Sequence, residues 1–251
     1  MASSDRVTWI GHATTVVELD GLRLLTDPVL RNRVGPLRRH GPPPVPSTTE
    51  DLDALLISHL HHDHADAPSL RKIDRDVPVF GPHGAGEFLE GLGFRAVSEL
   101  APGDSAAVGA ITTTAVEADH PNTGRFERGG EAIGFLISGS RHIYFAGDTD
   151  LFDGMREIAP VLDLALLPIW GWGPDIGAGH LDPERAARAA ALLSPKMVVP
   201  IHWGTLYPLG LSRLRPGPLR APPEQFKAAM RELAPQVEAM VLAPGEEVSL
   251  A

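Results

Sequence analysis

Cysteine is absent from all 251 positions of the chain. Disulfides and thiolate ligands are therefore excluded, and any metal must be held by nitrogen and oxygen donors. No apolar run is long enough to cross a bilayer, so no membrane span is expected. The opening Met1-Ala2-Ser3-Ser4-Asp5-Arg6 carries no basic-then-apolar secretion pattern, and a cytoplasmic protein is expected. Repeats at solenoid period, coiled-coil heptads and low-complexity tracts are missing too, apart from one proline-rich stretch. Positive charge is in deficit. The formal net charge is −10, which argues against nucleic acid held by bulk charge. The basic residues that do occur are clustered. Arg31, Arg33, Arg38, Arg39 and His40 fall in one Pro/Gly-rich stretch, and Arg213, Arg215 and Arg220 in another. Both read as solvated loops, although two such loops on an acidic protein would also suit a small anionic substrate.

A hydrophobic content of 43% over 251 residues is enough for one large α/β domain with a full core, and residues 1–251 are expected to form a single domain. β-Branched runs predict strands over 7–10 and 14–19, with Asp20-Gly21 as a hairpin turn into a third over 22–26. Residues 35–47 hold five prolines and two glycines and are expected to form a loop without regular structure. The apolar run Ala54-Leu55-Leu56-Ile57 reads as a buried strand, with a helix to follow over 67–74. Further strands are expected over 77–80, 96–99, 105–108, 111–116, 132–138, 142–145, 162–168, 197–201, 237–241 and 247–250. Helices are expected over 85–92, 183–193 and 223–233, the second opened by an Asp182 cap and Pro183. Two strand-rich halves of similar size, each with helices, suggest two packed sheets covered outside by helices.

The most informative stretch is His59-Leu60-His61-His62-Asp63-His64. Four competent ligands, His59, His61, Asp63 and His64, are compressed into six residues directly after a buried strand, whose end can aim them at one point. Converging imidazoles repel one another when protonated. A divalent cation removes that conflict, because neutral imidazole and carboxylate both donate to it. Other strand ends carry the same chemistry: His120 after the strand over 111–116, Asp148 in Ala146-Gly147-Asp148-Thr149, and His202 in Ile201-His202-Trp203-Gly204. Strands of stacked sheets can deliver all these ends to one edge.

This ordered set resembles the metallo-β-lactamase superfamily over nearly the whole chain. The resemblance implies a four-layer αββα sandwich, an α/β fold, with a binuclear metal site at one edge. It implies that His59, His61 and His120 bind the first metal, that Asp63, His64 and His202 bind the second, and that Asp148 and a hydroxide bridge the two. Two divalent metal ions are therefore expected, zinc first, with manganese and iron also suited to these donors. The absence of a thiol excludes antibiotic hydrolysis of the cysteine-ligand type. The phrases Trp9-Ile10-Gly11-His12-Ala13-Thr14, Leu25-Thr26-Asp27-Pro28-Val29 and Gly179-His180-Leu181-Asp182-Pro183-Glu184 are similar to one subgroup. It holds the L-ascorbate-6-phosphate lactonases and the phospholipase D proteins that hydrolyse N-acylphosphatidylethanolamine. The implied activity is hydrolysis of an ester-type bond, lactone or phosphodiester, in a small anionic substrate.

Individual roles follow. Asp63 can bind a metal with one oxygen and accept a proton with the other, which gives it a catalytic role besides ligation. In the resembled subgroup the histidine at position 180 lies by the metals without binding them. His180 also precedes a capped helix N-terminus, and it is expected to contact substrate or act as general acid. His12, after a strand and beside Gly11, is expected to contact substrate as well. His40, His62, His83 and His142 are read as surface or loop residues, while Trp170, Trp172, Trp203 and Tyr207 flank the site loops as pocket wall or core. Arg125, close after His120, is a candidate to meet an anionic group. The same ligand set leaves two alternatives: an iron-dependent oxidoreductase of the sulfur dioxygenase type, and a nuclease, which the net charge opposes. The expected partners are a small-molecule substrate and further copies of the chain in a homo-oligomer.

Overall fold

Residues 5–121, 130–159 and 161–250 are described in the computed structural model. Alternation along the central strands sorts apolar side chains onto two faces. In Leu22–Thr26 and Ala54–Leu56, Leu24, Ala54 and Leu56 turn to an inner core while Leu25 and Leu55 turn outward. In Leu164–Pro168, Leu164 and Leu166 point inward and Ala165 and Leu167 outward. Strands buried on both faces need cover on both, which explains their nearly continuous apolar sequences.

That cover comes from a second sheet on one side and helices on the other. One seven-stranded sheet runs Glu247–Ser249, Arg6–Gly11, Thr14–Leu19, Leu22–Thr26, Ala54–Leu56, Val79–Pro82 and Val97–Leu100. The other runs Glu238–Ala239, Met197–Ile201, Leu164–Pro168, His142–Phe145, Ile133–Ser138, Ile111–Glu117 and Ser105–Val108. Their inner faces share one core, with Val17, Leu24 and Leu56 against Phe135, Ile143, Leu166 and Ile201. Outside the first sheet, Leu70 and Leu89 of helices Ala67–Leu70 and Gly86–Gly91 join Val16, Leu25 and Leu55. Outside the second, Ala186, Ala190, Phe226 and Met230 of helices Pro183–Leu193 and Pro222–Leu233 join Ala165 and Val198. The layers are αββα. Each fully buried leucine in them contributes roughly 1.5–3 kcal/mol by leaving water.

Strand direction positions the functional edge. Leu22–Thr26, Ala54–Leu56 and Val79–Pro82 are parallel neighbours, as are His142–Phe145, Leu164–Pro168 and Met197–Ile201. Two antiparallel steps bring Arg6–Gly11 into the direction of Leu22–Thr26, and two more align Ile111–Glu117 with His142–Phe145. The strand ends before His12, Asp27 and the histidine motif therefore share one edge of the first sheet. Those before His120, Asp148 and His202 share one edge of the second.

The structure departs from the sequence reading in three places. Residues 35–47 are not structureless: Leu37–Arg39 pairs with Arg33–Val34 and with Leu206–Pro208 in a small third sheet, and Pro46–Thr49 forms a 3-10 turn. Leu37 drives this pairing by packing with Val29, Val34 and Leu206. Arg39, expected in solvent, is buried. It donates Nη2–H to the Val29 carbonyl at 2.5 Å and Nε–H to that of Arg31 at 3.2 Å, and burial lowers its pKa to about 10. The expected helix over 67–74 stops at Leu70, because the Arg75 guanidinium takes the carbonyls of Leu70, Arg71 and Ile73. The second basic stretch folds into short helices, Leu211–Leu214 and Gly217–Arg220, with Arg213, Arg215 and Arg220 exposed. Among the described residues, no helix is long and apolar enough to cross a membrane.

Candidate metal centre

Past Ile57 the chain turns tightly, with the amides of His64 and Ala65 donating to the His61 carbonyl at 3.0 and 2.8 Å. The turn buries His59, Asp63 and His64 and leaves His62 exposed, as expected. Donor atoms of His59, His61 and His120 lie within 4.8 Å of one another, and so do those of His12, Asp63, His64 and His202. Asp148 stands between the two groups. Its Oδ2 is 3.1 Å from His64 Nε2 and 3.9 Å from His59 Nε2, and its Oδ1 is 3.2 Å from His202 Nε2. All seven expected ligands are thus brought together, from strand ends spread between residues 59 and 202.

The fold also fixes which nitrogen of each ring faces inward. His64 donates Nδ1–H to Asp27 Oδ2 at 2.7 Å, and His202 donates Nδ1–H to the Trp170 carbonyl at 2.9 Å. His120 donates to the Gly179 carbonyl at 2.7 Å. Ser58 Oγ donates to Asp27 Oδ2 at 2.6 Å and accepts from His59 Nδ1–H at 2.9 Å. Each Nε2 is left with its lone pair toward the centre, the arrangement typical of metal-bound imidazole. The consequence is sharpest for His64 and His202, whose Nε2 atoms face each other at 3.0 Å. Two lone pairs at that distance repel, whereas a shared positive charge binds both. His59 Nε2 is likewise buried with no hydrogen-bond partner among the described residues. The donor set therefore fits divalent cations.

Electrostatics lead to the same conclusion. Asp27, Asp63 and Asp148 are buried carboxylates, which need compensating positive charge. Burial alone would raise Asp63 and Asp148. The imidazoles of His64 and His202, with hydrogen bonds from His12 and His180, outweigh it and hold both carboxyls well below the usual range. Burial works against charge on His64, yet Asp148, Asp27 and Asp63 hold its pKa well above the ordinary value, so without a cation a proton takes the cation's place on Nε2. Burial lowers His59 and His120. His180 keeps Nδ1 on the Ala178 carbonyl and turns Nε2 to Asp148 Oδ2 at 3.3 Å; this bond outweighs burial and raises it to about 9.

Backbone strain gathers at the same edge. His12, Asp27 and His202 each follow a strand and each have positive φ, at 56°, 34° and 62°. Non-glycine residues in this region cost of order 1–3 kcal/mol and persist where their surroundings impose them. Gly147, at φ 62°, lets the loop before Asp148 pass so close that a Cβ would sit 2.6 Å from Ser58 Cβ.

Other expected residues fall less simply. His12 lies behind the centre, fully buried, with its ring 3.8 Å from that of His202 and its Nε2 on Asp63. Burial, with help from His202, lowers its pKa to about 3. Trp203 stacks on Trp9 and Tyr207 is buried, so both are core, whereas Trp172 is exposed. Arg125 lies outside the described residues. The sequence reading gave no role to Asp27 and Ser58, which hold His64 and His59. Asp27 follows a strand end just as His120, Asp148 and His202 do, and that signal would have found it.

The Beta-lactamase superfamily domain matches residues 22–203. The chain belongs to this superfamily. A UPF0173 metal-dependent hydrolase from Methanopyrus kandleri is 33% identical over 96% of this β-lactamase superfamily chain and 98% of its own length. The N-acyl-phosphatidylethanolamine-hydrolyzing phospholipase D 1 of Caenorhabditis elegans is 32% identical over 81% of this chain and 64% of its own. A metallo hydrolase from the hyperthermophilic archaeon Ignicoccus hospitalis matches in structure with TM-score 0.72, 27% identity and 98% coverage of both chains. With these relatives and its cluster of histidines and aspartates, this superfamily member is a metal-dependent hydrolase of the metallo-β-lactamase fold.

Proposed function

We propose that the chain is a binuclear hydrolase that cleaves an ester-type bond, a lactone or a phosphodiester, in a small anionic substrate. His59, His61 and His120 would hold one cation and Asp63, His64 and His202 the other, with Asp148 between them. The observation that carries this reading is the pair of inward Nε2 atoms of His64 and His202 at 3.0 Å, each locked by an acceptor on its Nδ1. When bound, two divalent ions, zinc first, supply Lewis acidity and a hydroxide nucleophile at neutral pH. The name of the Caenorhabditis elegans relative supports the phosphodiester arm.

The chain's own residues orient and protonate. His180 is more open to solvent than the carboxylate it meets, with a side chain 22% exposed against 2% for Asp148. Its Nδ1–H is taken by the Ala178 carbonyl, so Nε2 is the atom that meets substrate and gives a proton to the leaving group. Asp63 Oδ2 accepts from His12 and, 3.7 Å from His202 Nε2 and 3.9 Å from His64 Nε2, would also face the cation, which leaves the other carboxylate oxygen for the proton-accepting role.

Metal stoichiometry on purified protein tests the reading. Wild type should hold two equivalents, and His202→Ala should fall toward one with loss of hydrolysis. A lactone panel run against a bis-aryl phosphate panel separates the two ester chemistries. Wild type that takes up no transition metal under any loading condition would end the proposal.

A further inference from the structure

Four imidazoles of the centre share a signature that His12 lacks. His59, His64, His120 and His202 each place Nδ1–H on an oxygen and keep Nε2 as a lone pair. In His12 the rings' roles are reversed. Its Nε2 faces Asp63 Oδ2 at 2.8 Å, and its Nδ1 is buried with no hydrogen-bond partner among the described residues. A carboxylate oxygen accepts and does not donate, so Nε2 carries the hydrogen. The opposite tautomer would strand an N–H in the interior, the rarer and costlier kind of unmade hydrogen bond. An Nε2 that carries a hydrogen has no lone pair in the ring plane for a metal.

The residue is also held from every side. Its amide donates to Thr205 Oγ1 at 3.0 Å. Its carbonyl accepts from Trp9 Nε1 at 2.8 Å and from the His202 amide at 2.9 Å. The ring is fully buried and packs against that of His202 at a 36° tilt, with no face open to a substrate. A single residue thereby ties two ligands of the same cation together, Asp63 through its side chain and His202 through its backbone.

We propose that His12 is a positioning residue, which donates Nε2–H to Asp63 Oδ2 and fixes that carboxylate for the cation shared with His64 and His202, while neither binding the cation nor touching substrate. The inference rests on the binuclear reading above. Carboxylate ligands held in this way lose about 10–100-fold in metal affinity when the holding partner is removed.

Titration of metal-free protein with Co2+, followed by visible absorption and by metal content after dialysis, tests it on wild type, His12→Gln and His12→Phe. Glutamine can put an N–H where imidazole Nε2 stood, and phenylalanine cannot. Wild type should take two equivalents. His12→Gln should keep both, with the same absorption bands and affinity within about threefold, well short of the 10–100-fold expected for a lost partner. His12→Phe should keep the tighter equivalent and bind the other about 10–100-fold more weakly. His12→Asn, which is too short to reach Asp63, replaces the phenylalanine variant if that one does not fold. Loss of the second equivalent or altered bands in His12→Gln would make His12 a ligand and overturn the proposal. Unchanged binding in both His12→Phe and His12→Asn would make it idle packing and overturn it too. In either case wild-type uptake of two equivalents leaves the binuclear reading standing, whereas a wild type that takes up no Co2+ brings down both.

Discussion

The two halves of the proposed metal centre are built to different standards. In one, His61 and His120 are only partly buried, and His120 is held by the carbonyl of a loop residue, Gly179. In the other, Asp63, His64 and His202 are all buried, together with His12 and Asp27 behind them. The outer half joins one buried imidazole, His59, to two that reach toward the surface. The inner half is core, and its polar groups satisfy one another as interior groups must. Ligands that look equivalent by residue type should therefore fail in different ways when removed.

The largest effect expected from this difference is on folding without metal. His64→Ala leaves the buried carboxylate of Asp27 without its imidazole partner, and breaking such a pair costs about 3–5 kcal/mol. His120→Ala removes a half-buried ring whose partner is one loop carbonyl, and about 1 kcal/mol is expected. Urea unfolding of the two metal-free variants against wild type measures both. Equal losses would erase the distinction between the halves.

Next in size is an effect on turnover alone. His180 sits at the outer side, held by its bonds to Ala178 and Asp148 and by an edge-on ring contact with His120. His180→Gln should lower kcat about a hundredfold or more, the usual loss of a general acid, with two equivalents of metal retained. Metal content measured beside kcat decides the matter, since a variant that loses a metal would make His180 a ligand.

Asp27→Asn comes third, because Asp27 serves both halves: it accepts directly from His64 and, through Ser58 Oγ, from the group that holds His59. The expected loss is about 10–100-fold in metal affinity, larger for the cation held by His64. Dialysis against a metal buffer reads both constants. A loss confined to the His59 side would reverse the order of support argued here.

How much of this was legible from the sequence follows from distance along the chain. The seven proposed ligand positions follow apolar strands closely, so a local pattern was enough to pick them out, and the strand-rich halves likewise predicted the two covered sheets. The direction of His12 depends on Asp63 and Thr205, the latter 193 residues away, and no local pattern encodes it. Arg39 looked solvated because charge in a Pro/Gly-rich stretch usually is; the carbonyls of Val29 and Ile10, brought near only by folding, reward its burial. The helix over 67–74 was overestimated for a similar reason, since Arg75, one residue beyond the expected end, turns its guanidinium back onto the last carbonyls.

The smallest effect concerns a carboxylate outside the centre. Asp163 bonds Lys196 Nζ at 2.8 Å and the His142 amide at 2.8 Å. Burial alone would raise its pKa, and these partners outweigh burial and lower it from 3.8. A carboxyl lowered by folding contributes stability that is fully present above its unfolded value and is lost as pH falls through its folded one. Lys196 is 63% exposed, so solvent screens the pair and Asp163→Asn should cost only about 0.5–1 kcal/mol at pH 7. Urea unfolding at pH 7 and again below the titration of Asp163 supplies the check, with wild type and variant converging in acid. A deficit that persisted there would belong to geometry rather than charge, and Asp163 would then resemble the interior carboxylates more than its exposure implies.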